Sequence, residues 1–91
     1  MAESLDNIFA SYASRGTLED AATWMANLTR HHPELAGEFI AALQNGMAAA
    51  AKGDASVIKA VNLGAHQVFT AKEAGERCLE LLGFYTKQLR S

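Results

Sequence analysis

Ninety-one residues, 49% of them hydrophobic and 20% charged, can bury one marginal core and exclude both a disordered chain and a two-domain protein. Eighteen alanines and a single proline, Pro33, favour helix throughout, because alanine loses no side-chain entropy there and proline breaks the ladder. The net charge of −2 is uneven, with six acids and two bases over 1–38 against four acids and six bases over 39–91. That basic excess is too sparse for nucleic acid or anionic lipid, and the two halves are expected simply to attract each other.

The first helix is predicted over 5–13, with Ser4 as N-cap, Asp6 in the dipole-favoured first turn and Leu5, Ile8, Phe9 and Tyr12 on its apolar face. Gly16 is its natural stop. Thr17 then caps a helix over 17–31, whose core face is Leu18, Ala21, Ala22, Met25 and Leu28, with Trp24 on the flank. Pro33 ends that helix, because the residue before a proline leaves the α region, and suits the first turn of the next, predicted over 33–51. Asn45-Gly46 is a turn signal as a dipeptide, but the stripe Leu35, Phe39, Ala42, Leu43, Gly46, Met47 and Ala50 keeps its phase through it. The run Ala48–Ala51 allows a close helix approach, and Gly53 ends the helix.

Asp54 caps a fourth helix, predicted over 55–69 on the stripe Val57, Ile58, Val61, Ala65, Val68 and Phe69. No Gly or Pro separates it from the last helix, over 71–90, but the two stripes lie about 135° apart on a common wheel. A straight rod cannot bury both, so a turn or kink near Thr70 is expected. The last helix opens with Thr70-Ala71-Lys72-Glu73, the pattern in which a hydroxyl and a carboxylate satisfy orphan N–H groups at a helix start. Ala74, Cys78, Leu81, Leu82, Tyr85 and Leu89 then form one face, with charged residues opposite and Glu73→Arg77 as a favourable i,i+4 pair. Its roughly 30 Å length spans a small domain. The expected fold is therefore all-α: a compact bundle of about five short-to-medium helices in one domain, centred on 71–90.

Catalytic chemistry finds no footing in this pattern. The acids sit in first turns or on charged faces, no spacing marks a nucleophile and base, and no Gly-rich phosphate loop is present. His31 and His32 are adjacent and point apart, His66 lies between Asn62 and Thr70 on a polar flank, and Cys78 has no ligand companion, so neither metal nor cofactor is expected. A helix-turn-helix over Ala60–Glu73 would use Gly64 as its turn, but Lys59, Thr70 and Glu73 fall where apolar residues are wanted. No run of about 18 apolar residues spans a membrane. Glu3 and Asp6 stand where a secretory signal needs bases, so the chain reads as complete, and with one thiol on an apolar stripe as cytoplasmic.

A protein-interaction or regulatory module without catalysis is the expected function, its partner either a second copy in a homo-oligomer or a heterologous protein. Phe84, Leu63 and Trp24 fall off their helices' core stripes, and Gly75 and Gly83 flank Leu79 to make a shallow groove on the last helix. Each helical glycine costs about 1 kcal/mol against alanine, so two of them imply a closely packed backbone, in the first instance helix 33–51. Exposed apolar residues occurring singly are normal on a protein surface and need no function. Brought together, Phe84 and Leu63 would anchor an interface. The alternatives are a nucleic-acid-binding regulator, an inhibitor or immunity-type protein defined by its partner, and a binder of a small apolar ligand in the core.

Overall fold

A computed structural model describes residues 4–14, 16–65 and 67–90; Glu3 and His66 of the sequence reading lie outside the described residues. Among the described residues the architecture is an all-α bundle of five helices, 34 × 23 × 22 Å. Helix α1 begins as an α-turn over Leu5–Asn7 and widens into a π segment over Ile8–Tyr12. The others are α2 (Leu18–His31), α3 (Leu35–Ala51), α4 (Ala55–Val61) and α5 (Ala71–Arg90). With a 1.5 Å rise, α5 is about 30 Å long and runs nearly the whole length of the molecule.

Local chemistry sets the helix starts. The Asn7 N–H donates to Ser4 Oγ at 3.1 Å, as the Ser4 cap requires. At α2, Asp20 N–H donates to Thr17 Oγ1 at 3.1 Å and Thr17 N–H donates to Asp20 Oδ2 at 3.3 Å, a complete capping box. Gly16 does not end α1, which stops at Tyr12. Its role is room: a Cβ there would stand 2.7 Å from the Asp20 carboxylate that closes the box. Pro33 lies in the turn before α3 rather than inside it, with Leu35 N–H bonded to His32 C=O at 3.0 Å. Gly46 stays helical and buried, and Gly53 ends α3 at φ +74°, a left-handed position that favours glycine. The Asp54 carboxylate accepts from Ser56 N–H at 2.9 Å, which holds its pKa below the usual range.

Three sequence expectations are overturned between 61 and 77. Helix α4 ends at Val61, not near 69, because the Asn62 side chain offers the backbone another partner. Its amide donates to Val68 C=O at 3.0 Å and accepts from Val68 N–H at 2.7 Å, closing the connection to α5. Ala65 N–H donates to Ala13 C=O at 2.9 Å, and a Cβ at Gly64 would stand 3.2 Å from that same oxygen. Val68 is buried as expected, but Phe69 is not a core residue; it is 84% exposed. The expected Glu73–Arg77 pair is also replaced. Glu73 accepts from Phe69 N–H and Thr70 Oγ1, each at 3.2 Å, and Arg77 pairs with Glu80 at 3.4 Å.

The core lies between α2, α3 and α5, with α1 and α4 closing one end. Four rings cross it edge to face: Trp24–Tyr12 at 5.2 Å, Tyr12–Phe39 at 5.6 Å and Phe39–Tyr85 at 5.5 Å. The Tyr85 hydroxyl lies 2.6 Å from Thr29 Oγ1, which itself donates to Met25 C=O at 2.8 Å, so neither of these buried hydroxyls is orphaned. Burial pushes the Tyr85 phenol above its usual pKa and the Cys78 thiol up to about 11. Arg30 of α2 donates to Gln88 C=O at 3.0 Å, a cation among the last carbonyls of α5.

Candidate functional site

Three pairings fix how α3 and α5 meet. Phe39 packs on Tyr85, Gly46 lies against Cys78, and Ala50 lies against Gly75, so the two helices run antiparallel. A Cβ at Gly75 would stand 2.8 Å from Ala50 Cβ, and one at Gly46 would stand 3.1 Å from Cys78 Sγ. Gly75 therefore serves the close intramolecular approach expected of it, with Ala50 of the alanine run as its neighbour. Gly83 does not: an added Cβ would meet nothing within 4 Å.

Small residues along this seam leave a depression on its outer side. It is a groove of about 430 Å³ between the end of α3 and the first half of α5, lined by Met47, Ala50, Ala51, Gly75 and Leu79. Lys72 and Glu76 stand on its rim, and among the described residues neither takes part in an ion pair. Leu79 is 55% exposed. The groove can hold an apolar side chain against aliphatic walls and offer it one cation and one anion at the edge.

The remaining expected site residues lie elsewhere. Phe84 does not stand free on the polar face. It is half-buried, packs against the core and lines a separate depression of about 200 Å³ with Thr17, Leu18, Glu19, Arg77 and Glu80. Leu63, 49% exposed, belongs to the α4–α5 connection and does not line that depression. Trp24 is 47% exposed with its ring edge to face with Tyr12, so one side of it is core. Of the six residues, then, Gly75 and Leu79 share the groove, while Phe84, Leu63, Trp24 and Gly83 do not join them.

Phe69 is the apolar residue that sequence reasoning missed. Leaving its ring in water forgoes about 1.5–3 kcal/mol of burial free energy. The signal was present: once Thr70 is the N-cap of α5, Phe69 lies outside any helix and cannot continue the stripe of α4. Chemistry-bearing clusters are sparse by contrast. Among the described residues no three His, Cys, Asp or Glu side chains are placed to hold a metal, and no helix is long and apolar enough to cross a membrane. Neither Cys78 nor Tyr85, whose pKa values burial raises, lines the groove. No protein-family model, curated protein or solved structure matches the chain.

Proposed function

We propose that the chain is a non-catalytic protein-interaction module that receives an apolar side chain of its partner in the α3–α5 groove. The observation that carries this reading is the groove itself, aliphatic within and charged at the rim, beside an exposed Leu79. That arrangement, an apolar centre inside a polar edge, is the anatomy of an interface anchor site. Relative to the sequence expectation, the docking face moves from Phe84 to Leu79, roughly the opposite side of α5. A cytoplasmic setting belongs to the same reading, supported by a single thiol that is buried and held protonated.

The test is a titration of isotope-labelled protein with N-acetylphenylalanine amide, read by amide chemical shifts. Saturable shifts centred on Met47, Ala50, Ala51, Gly75 and Leu79 are expected, and Ala51→Trp, which fills the groove from its edge, should abolish them. Shifts scattered over the surface, or a full response in the Ala51→Trp variant, would contradict the reading.

A further inference from the structure

We propose that the occupant of the groove is a second copy of this chain, in a two-fold dimer that seats Phe69 of each copy over the groove of the other; the inference rests on the docking reading above. Phe69 is the most exposed large hydrophobic residue among those described, at 84%. Its backbone is fixed at the start of α5, where its N–H donates to Glu73 Oε1 at 3.2 Å and Thr70 caps the helix. A residue in this position commonly staples onto the fourth helical residue, here Ala74. Ala74 is fully buried and Phe69 is exposed, so the staple is not made and the ring stands out from a rigid base.

Groove and ring lie along one helix, with Phe69 before its first turn and Leu79 about 15 Å further on, at 1.5 Å per residue. At 100° per residue Lys72 and Glu76 project within about 60° of Leu79, on the outer face of α5. Consider two α5 helices packed antiparallel by these faces, related by a two-fold axis level with Ala74. Residues equally far from that level then meet: Lys72 faces Glu76 of the second copy, and Phe69 comes over Leu79 and the Met47 end of the groove. Both meetings occur twice. This register thus satisfies the rim charges and the exposed ring together. A register centred on Leu79 would instead bring Lys72 opposite Thr86 of the second copy, leaving its charge unanswered, and would leave Phe69 beyond the groove. Because ring and groove each find their complement across one axis, the contact closes at two copies and does not propagate into a filament. A standard interface covers roughly 800 Å² per copy, about one-seventh of the 5292 Å² surface. One ring and one ion pair, each used twice, make a contact below that standard size, the class of weak, concentration-dependent association.

Sedimentation velocity of the purified protein, from about 1 μM to about 1 mM, tests this. A monomer–dimer equilibrium is expected. Phe69→Asp should raise the dissociation constant by about thirtyfold or more without changing the helical content, since Phe69 has no core contact to lose. Lys72→Glu and Glu76→Lys should each weaken the dimer about tenfold by opposing like charges, and the double variant should recover it. A wild type that stays monomeric, a dimer indifferent to Phe69→Asp, or a charge swap without recovery would overturn the proposal. A monomer whose groove still takes N-acetylphenylalanine amide would overturn the dimer and leave the docking groove standing.

Discussion

On the inner side of the α3–α5 pair, Phe39 meets Tyr85 edge to face and Gly46 lies against Cys78, with all four residues buried. On its outer side, Met47 is half-buried and Leu79 stands in solvent around an open groove. One cause produces both. Gly46 and Gly75, with Ala50, draw the two backbones together along the seam, so the larger side chains are displaced to either side of it. Toward the bundle they interdigitate with α2 and α1. Away from it no helix of the described chain covers them. A close helix approach thus gives a tight core and an unfilled surface at once, and the surface is where a partner has something to add.

If the inner side is the sealed one, its disruption should dominate stability. Phe39→Ala removes the ring between Tyr12 and Tyr85 and is expected to cost about 3–5 kcal/mol in denaturant unfolding. A loss below about 1 kcal/mol would mean the inner side is as loose as the outer.

Smaller in size, but specific to the seam, is the response to alkali. With Cys78 held at about 11 in the fold and near 9.0 when exposed, the unfolded chain releases its proton first as pH rises. Stability associated with Cys78 is therefore complete below pH 9 and is lost as pH rises through 11. The slope approaches about 1.4 kcal/mol per pH unit over that window. Unfolding curves at several pH values should show this slope in the wild type and a shallower one in Cys78→Ala. Equal slopes would place the thiol in water.

The gentlest comparison uses the two glycines of α5. Gly75→Ala forces a Cβ against Ala50 and is expected to lose about 1 kcal/mol, overpacking outweighing helix propensity. Gly83→Ala meets nothing and should gain roughly 0.5–1 kcal/mol. Each shift corresponds to a few degrees in Tm, about 4–8 °C per kcal/mol at this size. Melting temperatures moving in the same direction would remove the distinction between the closed and the open part of the seam.

The same contrast separates what could be read from the sequence. Periodicity located α2, α3 and α5 and their buried faces, because Ala74, Cys78, Leu81 and Tyr85 recur at helical spacing and Thr17 and Thr70 carry caps. Gly75 was legible as a packing glycine; Gly83, identical in spacing logic, was not distinguishable from it, since only the neighbouring helix decides whether a Cβ has room. The 62–70 connection was hidden by an accident of spacing. Val61, Ala65 and Val68 fall at helical intervals, yet the amide of Asn62 bonds across six residues to Val68 and ends the helix. Thr29 gave no signal at all, because its burial depends on the Tyr85 hydroxyl 56 residues away. The groove combines residues of two helices, so neither stripe contained it; Leu79 and Gly75 marked one wall, while on the other wall Met47 read as ordinary core and Ala51 as part of an alanine run for close helix approach.

The most direct measurement on the outer face is a dilution series of amide spectra of the wild-type protein, from millimolar to tens of micromolar. A self-docking groove requires concentration-dependent shifts that cluster on Phe69, Lys72, Gly75, Glu76 and Leu79 of α5 and its start, and on Met47, Ala50 and Ala51 of α3. Spectra that do not change with dilution, or changes centred on Phe84, Leu63 or Trp24, would contradict it.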